Sequence, residues 1–592
     1  MAVLKQTSFA IILSALAFTA CSGGDGGSST PPPASEAPPP AGGGAPPPPG
    51  SPPPPGSPPP PPTSTATMLE TPEESARFLI QASLGPDIET IEASVDTDAT
   101  DWVVSELNKP CTGFLAPILE LREERDNLNG RPFSDIYYDT LMTADDELCQ
   151  RMIFALSQIL VVSDGDFGGR PLQMAHYQDI LATHALGNYR DLLEDVTYSP
   201  AMSRFLTYFR NRKGDPDTGR MPDENYAREL LQLFTIGVVE LNMDGTPRLD
   251  TFGNEIETFD NTDITGLARV FTGLAFVGDR FNDNSNPDRD FTPLQVYPEQ
   301  HSELEKTFLT TTIPAGTSGE ESIDLALDDI FDHPNVPPFV ARQLIQRFTA
   351  SNPAPEYVER VAIAFAEGRF VTPDGTAFGT GRRGDLQATI AAILLDPDVH
   401  GDVDAASETD GKIREPVLKF VHWIRAFNVN AVDTESEFRL ADTSRPSDRL
   451  SQHPFRAPSV FNFYRPGFQA PGTESGDAGL TTPEFQIVNE GSTLGYINFM
   501  TDFILDRTGG SDDPERFIPN YLTEIILSED PQALVAHLNL LLTGGEMTAA
   551  EITAVEDAVS ALTIVDELED PLQRVEVAIL LIVSGPSFAV IR

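Results

Sequence analysis

The sequence predicts a mainly α-helical protein, with a large multi-helix body, a β-hairpin excursion and loop-rich insertions. Apolar residues recur at three- and four-residue intervals through most of the chain after residue 72, which is the pattern of helices that bury one face. A hydrophobic content of 40% is compatible with a substantial core. Residues 238–259 differ, because Asp244-Gly245 and Gly253-Asn254 separate short alternating runs and predict the β-hairpin excursion.

Residues 1–20 have the pattern of a secretory signal peptide. Lys5 supplies the positive charge, and the apolar run 9–18 is too short to span the roughly 30 Å hydrocarbon core of a bilayer. We therefore expect export across a membrane rather than a permanent transmembrane helix.

Cys21 directly follows the signal peptide and is the expected lipidation site. Thr19 and Ala20 precede it, and small residues before a cysteine resemble the lipobox of bacterial lipoproteins. Phe18 stands where leucine is usual, so ordinary cleavage after Ala20 remains the alternative. Ser22 resembles the residue that directs sorting to the outer membrane. We predict an outer-membrane lipoprotein of the cell envelope that contacts the membrane only through its lipid.

The segment 21–66 is rich in Gly, Ser and Pro, and we expect it to form an unfolded stalk after the lipidated cysteine. It has almost no apolar surface to bury. Proline runs favour polyproline II at about 3.1 Å per residue, so the stalk could extend roughly 100 Å. The predicted organisation is a signal peptide at 1–20, a stalk at 21–66 and a helical body at 67–592.

The chain is strongly acidic, with a formal net charge of −51 from 90 acidic and 39 basic residues. Such a field repels nucleic acids and anionic membrane surfaces, so we expect no nucleic-acid partner. Two interpretations of the charge stay open. The acidic residues can form a solubilising surface, and salt then screens the repulsion between them. Alternatively, the acidic residues can bind divalent cations.

Cys111 and Cys149 are the only cysteines after Cys21. Two cysteines in an exported chain are typical of one disulfide. Cys149 lies within a predicted amphipathic helix, so a buried free thiol is the alternative.

Helical periodicity and end signals predict the elements of the body in order. Thr71 and Pro72 are the expected N-cap and first residue of the first helix, and Asp223 and Asp385 are expected to cap two later ones. Short strands are expected near 294–297 and 307–313. The predicted helices span residues 73–83, 144–162, 174–186, 189–196, 221–236, 262–272, 321–331, 336–348, 354–367, 385–395, 415–427 and 483–505, with two or three more between 515 and 584.

Sequence motifs for cofactors and metals do not fit this chain. Residues 379–384 match the dinucleotide pattern GxGxxG, but a loop containing Pro373-Asp374-Gly375 precedes them instead of a buried strand. HExxH, P-loop and GxSxG motifs are absent from the sequence, and the eight histidines are scattered. We therefore predict neither a cofactor nor a histidine-based metal site.

One loop is compatible with calcium. Oxygen-bearing side chains occupy every second position of this loop, as they do in calcium-binding loops, but the loop lacks the glycine and distal glutamate of an EF-hand. A polar turn is the other interpretation. The residues concerned are Asn282, Asn284, Asn286, Asp288 and Asp290.

The stretch 222–230 is the most suggestive for chemistry. Glu224 and Arg228 form an i,i+4 pair, and Glu229 and Gln232 lie beside them. Carboxylates held in a cleft near a helix start can act as general acid or base. A capped helix with a surface salt bridge is the alternative.

Several blocks in order resemble the bacterial family catalogued as domain of unknown function 1800. Together they cover the chain from about residue 70 to its end. The blocks are Ala76-Arg77-Phe78-Leu79, 185–193, 223–237, 267–273, His333-Pro334-Asn335, Arg383-Gly384-Asp385-Leu386, Arg414-Glu415-Pro416 and 458–464.

The resemblance implies export but supplies no activity. Many members carry a Trp/His-rich segment where this chain has 151–158, so any role of those histidines cannot be transferred. Many are also encoded beside exported proteins of domain-of-unknown-function family 1501, which look like the alkaline-phosphatase fold. A protein of that family is therefore the expected partner.

Three functions stay open after the sequence is read, the third of which is calcium-dependent adhesion. The first is a non-enzymatic binding or assembly component that acts with another exported protein. The second is a hydrolase-type enzyme on envelope or extracellular polymer, with Glu224, Arg228 and Glu229 as catalytic residues. A pocket that joined these carboxylates to the candidate binding residues Asn225, His184, Arg190 and Asn462 would favour the enzyme.

Overall fold

The computed structural model describes residues 67–124, 131–166, 170–400, 411–431, 440, 442–507, 517–562 and 569–592. All of these residues fall within one unit of the chain, Thr65–Arg592. The predicted signal peptide, Cys21 and the predicted stalk lie outside the described residues.

Helices dominate the described chain, as the sequence predicts. The first helix, Pro72–Ala82, begins with a capping box, in which the side chain of Thr71 accepts a hydrogen bond from the backbone N–H of Glu74. A π-helix, Leu230–Thr235, directly continues the helix Asn225–Glu229. The α-helices before residue 300 are Pro72–Ala82, Ile88–Ser94, Ala99–Leu107, Leu115–Glu124, Arg131–Thr143, Glu147–Ser157, Pro171–His184, Tyr189–Thr197, Pro200–Phe205, Asn225–Glu229 and Asn261–Ala268.

The second half continues the same architecture with helices packed on one another. Short 3₁₀ turns lie at Asp164–Asp166 and Pro483–Gln486. The later α-helices are Gly319–Asp332, Val336–Phe348, Pro355–Glu367, Leu386–Leu394, Pro416–Ala426, Glu474–Asp477, Glu490–Ile504, Leu522–Leu527, Pro531–Thr543, Ala549–Ser560, Glu569–Val583 and Pro586–Ala589.

Sheets in the described residues are small antiparallel pairs of strands. One of them joins distant parts of the chain, because the C-terminal strand pairs with the strand at Lys412–Ile413. The pairs are Met68–Leu69 with Thr97–Asp98, Leu274–Ala275 with Gln295–Val296, Lys306–Phe308 with Thr311–Ile313, Phe370–Val371 with Ala377–Phe378, Lys412–Ile413 with Val590–Ile591, and Asn430–Ala431 with Phe517–Ile518.

The predicted β excursion is present, as short bridged segments rather than long strands. Val239 faces Glu257, and Leu249 faces Glu255, both in antiparallel bridges. A further bridge joins Leu241 to Pro247 within the first turn of the excursion. We call residues 238–258 the β arm.

Several helix bounds differ from the sequence prediction. The helix expected at 221–236 begins at Asn225 and becomes a π-helix at Leu230. The helix expected at 144–162 is shorter, Glu147–Ser157. Between 515 and 584 there are four helices among the described residues instead of two or three. These ends depend on packing against distant residues, which local periodicity does not record.

The core is centred on helix Pro416–Ala426, which is buried on almost every side. Phe420 lies edge-on to Phe499 and Phe503, with ring centroids 4.9 Å apart in each case. Trp423 is fully buried beside them and donates its indole N–H to the Tyr521 hydroxyl at 3.3 Å. In the part of the chain that the structure describes, no helix is long and apolar enough to cross a membrane.

Candidate functional site

Glu224 and Arg228 form the pair that the sequence predicts, at the start of helix Asn225–Glu229. Glu224 Oε2 lies 3.8 Å from Arg228 Nη2, and the side chains of Glu224 and Arg228 are 32% and 40% exposed. The hydroxyl of Thr265 donates to Glu224 Oε1 at 2.8 Å. The carboxylate is therefore held between its own helix and the helix Asn261–Ala268.

The helix start is shaped by Asp223 rather than by Glu224. Asp223 Oδ1 accepts the backbone N–H of Asn225 and the hydroxyl of Thr207, each at 3.0 Å. The side chain of Glu224 makes no capping hydrogen bond. Asn225 itself is half-buried, and Tyr226 turns into the core, where its hydroxyl lies 2.7 Å from that of Thr197.

Glu229 differs from Glu224 because it is buried, with 6% of its surface exposed. Its Oε2 has no hydrogen-bond partner among the described residues. Burial raises the pKa of the Glu229 carboxyl, and the nearby Arg228 opposes this rise. The π-helix begins at the next residue, and the Tyr189 hydroxyl donates to Phe234 O within it at 2.7 Å. π-Turns often occur at functional sites.

His184 and Arg190 pair with other acidic residues. His184 Nε2 lies 2.7 Å from Asp195 Oδ2. Arg190 Nε donates to Asp328 Oδ1 at 2.7 Å, and its Nη1 donates to Glu194 at 2.9 Å. Among the hydrogen bonds and ion pairs of the described chain, none joins His184 or Arg190 to the carboxylates near residue 224.

Asn462 lies in a loop that approaches a different part of the core. Its φ is +62°, and its buried Nδ2 has no hydrogen-bond partner among the described residues. Two residues later, the buried Tyr464 donates its hydroxyl to Gln158 Oε1 at 3.2 Å. The loop therefore leads to the helix Glu147–Ser157. In the residues that the structure describes, no hydrogen bond or ion pair joins Asn462 to Glu224 or Glu229.

A buried ionic cluster lies beside Tyr464 and the helix Glu147–Ser157. The sequence patterns described above did not predict it. It comes from the helices Glu147–Ser157 and Val336–Phe348, the strand Lys412–Ile413, the cap of helix Pro416–Ala426 and the 3₁₀ turn Pro483–Gln486. All five of its charged residues are 2% exposed or less. Its members are Arg151, Arg347, Lys412, Glu415 and Glu484.

Lys412 is the central cation of the buried ionic cluster. Its Nζ lies 3.3 Å from Glu484 Oε1 and 3.9 Å from Glu415 Oε1. Arg151 Nη2 donates to the carbonyl oxygen of Arg347 at 2.6 Å. Burial lowers the pKa of the Lys412 ammonium and raises that of the Glu484 carboxyl, while each group's charge favours the ionised form of the other.

Neutral amides complete the contacts of Glu415. Gln158 Nε2 and Gln452 Nε2 both donate to Glu415 Oε2 at 2.5 Å. Among the described residues, Arg151 Nη1 and both carboxylate oxygens of Glu484 accept or donate no hydrogen bond, although Glu484 Oε1 forms the ion pair with Lys412. The cluster is enclosed, so its geometry suits a role in joining five segments of the core better than the binding of a solvent-borne substrate.

A weak sequence signal for this cluster exists. Arg151 lies inside an apolar helical stretch, and Glu415 stands between Arg414 and Pro416, at the start of another. Charged residues on the apolar face of a helix are rare unless they are paired. Their partners cannot be read from the sequence, because Arg151 and the carbonyl of Arg347 that it contacts are 196 positions apart.

A second buried group of cations lies on helix Pro416–Ala426 and just before its start. Lys419 Nζ lies 3.8 Å from the centroid of the Tyr496 ring. Arg414 Nη2 lies 2.6 Å from His422 Nδ1, and burial lowers the pKa of Arg414 to about 9. Burial, aided by Arg414, lowers the pKa of Lys419 to about 7.

Cys111 and Cys149 are joined in a disulfide, with Cα atoms 5.7 Å apart. Asp146 lies within 4.8 Å of both sulfurs and is the third member of a group that could hold a metal ion. Its carboxylate is already occupied, because the amide and hydroxyl of Thr112 and the side chain of Gln150 donate to it at 2.7–2.9 Å. The disulfide uses both sulfurs, so this place suits a covalent link rather than a metal site.

The loop with alternating oxygen side chains makes contacts to arginines. Asp288 Oδ1 lies 3.5 Å from Arg122 Nη1, and Asp290 Oδ1 lies 3.5 Å from Arg170 Nη1. Arg210 Nη2 donates to Asn284 Oδ1 at 2.8 Å. These carboxylate and amide oxygens are partly occupied by protein cations.

The loop 379–384 has a structural role. Asp385 caps helix Leu386–Leu394 by accepting the amide of Ala388, as the sequence predicts. Its other oxygen accepts the amide and hydroxyl of Thr380, each at 2.8 Å. The glycine-rich turn is thereby fastened to the helix start.

Comparison with known families adds one finding. A family model described as "Protein of unknown function (DUF1800)" matches residues 77–590. The chain belongs to the DUF1800 family. The DUF1800 match contains both the helix Asn225–Glu229 and the buried ionic cluster. No curated protein and no solved structure matches the chain.

Proposed function

We propose that this DUF1800 protein is exported, anchored in the outer membrane by a lipid on Cys21, and binds another exported protein during assembly in the cell envelope. The observation that carries the proposal is the order of the N-terminus: a signal peptide, a lipobox-like cysteine and a proline-rich segment. The disulfide between Cys111 and Cys149 supports an oxidising compartment.

The contacts of the candidate catalytic residues favour binding over catalysis. Glu224 is engaged by Thr265 and Arg228, and His184 and Arg190 are engaged by carboxylates of neighbouring helices. Among the described residues, no hydrogen bond or ion pair joins His184 or Arg190 to Glu224 or Glu229, so these contacts do not support the joint site that the enzyme would need. A protein of domain-of-unknown-function family 1501 is the partner that we propose to test first.

Lipidation is tested by metabolic labelling with a radioactive fatty acid and by membrane fractionation. We expect label on the wild-type protein, and loss of both label and membrane association in Cys21→Ser. Ser28→Ala serves as the control, because it changes a residue of the same N-terminal segment but keeps Cys21 and the disulfide. Label that persists in Cys21→Ser would refute the lipid anchor.

Binding is tested by adding the purified body, residues 67–592, to a purified family 1501 protein and to envelope extract. We expect a stable complex that Glu224→Gln and Glu229→Gln both retain. Loss of the complex in those variants alone would place the binding surface on helix Asn225–Glu229. Absence of any complex with wild-type protein would refute the assembly role.

One observation favours the alternative, a hydrolase that acts on envelope or extracellular polymer. Glu229 is buried, its Oε2 accepts no hydrogen bond from the residues that the structure describes, and burial raises its pKa, which are properties of a general acid. In this alternative, Glu224 and Arg228 would contact the substrate beside it. Release of soluble fragments from purified envelope polymer by wild-type protein, but not by Glu229→Gln, would support the enzyme.

A further inference from the structure

The β arm displays apolar side chains to solvent. Phe252 is 88% exposed at its tip, and Leu249 and Val238 are 57% and 52% exposed along it. Exposed apolar residues are common singly, but three on one short segment are a candidate contact surface. The hydrogen bonds of the β arm determine whether it is a flexible loop or a fixed element.

The base of the β arm is fastened to the core by Asn335. Its Oδ1 accepts the amide of Leu241, and its Nδ2 donates to the carbonyl oxygens of Ile236 and Val239, all at 2.8 Å. Asn335 is 2% exposed, so these bonds are shielded from water. One buried side chain thus fixes both ends of the turn that enters the arm.

The middle of the β arm is held by a cycle of three backbone hydrogen bonds. The amide of Glu240 donates to Ile256 O at 2.8 Å, that of Ile256 donates to Arg248 O at 3.1 Å, and that of Arg248 donates to Glu240 O at 2.7 Å. Each of the three segments is therefore bonded to both others. This arrangement resists the opening that a single two-stranded hairpin would undergo.

The tip is a turn organised by Asp250. Its Oδ1 accepts the amides of Phe252 and Asn254 at 2.7 and 2.9 Å, and its Oδ2 accepts the Asn254 side chain at 3.1 Å. Gly253 supplies the positive φ, +85°, that the turn requires. Phe252 is thereby presented on a defined backbone, which lowers the entropy lost when it is bound.

The charged residues around these apolar side chains indicate which kind of partner surface would be complementary to the β arm. Glu240, Asp244, Asp250, Glu255 and Glu257 lie on the arm, against a single cation, Arg248. Arg248 Nη1 is already 2.6 Å from Glu240 Oε2. A second copy of this chain would bring like charges together, whereas a surface with Lys or Arg around an apolar pocket would be complementary.

We propose that the β arm is the docking element of this protein, and that Phe252 inserts into an apolar pocket rimmed by Lys and Arg on an exported partner protein. This inference rests on the proposed function, because it assigns the surface through which the assembly partner is bound. Aromatic side chains at the centre of an interface, ringed by charged residues, commonly contribute most of the affinity.

The test places a photo-crosslinking amino acid at position 252 of the full-length protein in cells, and at position 526 as a control. Ile526 is 77% exposed on helix Leu522–Leu527, so it matches Phe252 in exposure and apolar character. The crosslinked protein is then identified and purified, and its affinity is measured for wild type, Phe252→Ser and Ile526→Ser.

We expect Phe252→Ser to weaken binding by at least about tenfold and Ile526→Ser to leave it unchanged. Glu255→Lys with Glu257→Lys is expected to weaken binding and to reduce its dependence on salt. An unchanged melting temperature of Phe252→Ser verifies folding, because the side chain has few contacts to lose.

Three outcomes would overturn the inference: no crosslink at position 252, a crosslink to a second copy of this chain or to lipid, or equal affinity of Phe252→Ser and wild type. Equal affinity with an intact complex leaves the assembly role standing and refutes only the β arm. Failure of the wild-type body to bind any exported protein refutes the proposed function together with this inference.

Discussion

Glu415 shows how a single residue can hold distant segments together. It is fully buried, and it accepts hydrogen bonds from the side chains of Gln158 and Gln452 while facing Lys412. Burial of a charge is costly, and its opposite charges and hydrogen bonds must offset that cost. Loss of the Glu415 charge removes one of the two carboxylates that face Lys412, and it leaves the three cations of the cluster with Glu484 as the remaining carboxylate.

We therefore predict that Glu415→Gln lowers the free energy of unfolding by about 3–5 kcal/mol, the range for breaking a buried ion pair. Urea denaturation followed by circular dichroism measures this value. Glu224→Gln is the matched control, because Glu224 is partly exposed and its loss is expected to change stability by about 0.5 kcal/mol or less. Equal effects of the two substitutions would contradict the structural role of the cluster.

Lys419 leads to a prediction about pH. Burial and then Arg414 lower the pKa of its ammonium group from 10.5 to about 7. Between these values the unfolded state binds more protons than the folded state, so stability rises with pH. Wild type should gain about 2 kcal/mol in the free energy of unfolding between pH 7 and pH 9, relative to Lys419→Met.

Urea titrations of both proteins at pH 7, 8 and 9 measure this difference. The comparison with Lys419→Met removes the contribution of groups that titrate in both proteins, including Arg414. Parallel pH profiles for the two proteins would show that Lys419 keeps an ordinary pKa.

At the scale of elements, local signals in the sequence locate most helices well. The helix at 336–348 has the predicted bounds, and the caps at Thr71 and Asp385 are formed as expected. Each depends on residues within four positions of one another, so the sequence contains the information. The β arm was predicted for the same reason, since its turns are marked by Asp244-Gly245 and Gly253-Asn254.

Elements that depend on remote contacts were not predictable in this way. The change to a π-helix at Leu230 follows no local breaker, and its residues pack against helices formed more than 80 positions later. The buried ionic cluster likewise joins Lys412 to Glu484, which are far apart in the sequence. Periodicity identifies a buried face but does not identify what lies against it.

The disulfide connects two elements and carries the third prediction. Cys111 precedes helix Leu115–Glu124, and Cys149 lies in helix Glu147–Ser157, 38 positions later. Closing a loop of this length reduces the entropy of the unfolded chain, and its loss should lower the free energy of unfolding by about 4 kcal/mol.

This loss is measured by urea denaturation with and without dithiothreitol. The double variant Cys111→Ser/Cys149→Ser is expected to match the reduced wild type and to be insensitive to the reductant. If dithiothreitol also lowered the free energy of unfolding of the double variant, the reductant would not be acting through this disulfide.

For the whole molecule, the dominant physical quantity is the net charge of −51. A compact body with this excess of carboxylates is destabilised by its own repulsion, and added salt screens that repulsion. The arginines near Asp288 and Asp290 show that some carboxylates are locally neutralised, but the chain has too few cations to pair them all.

We accordingly predict that the melting temperature rises between about 0.01 M and 1 M NaCl, as the Debye length falls from about 30 Å to 3 Å. The same measurement distinguishes general screening from calcium binding. At equal ionic strength, CaCl₂ and MgCl₂ should stabilise the protein equally if screening alone acts, because both cations carry the same charge. A larger rise with CaCl₂ that Asp288→Asn and Asp290→Asn abolish would instead establish a calcium site in the loop 282–290, since Ca²⁺ accepts irregular oxygen ligands that Mg²⁺ does not.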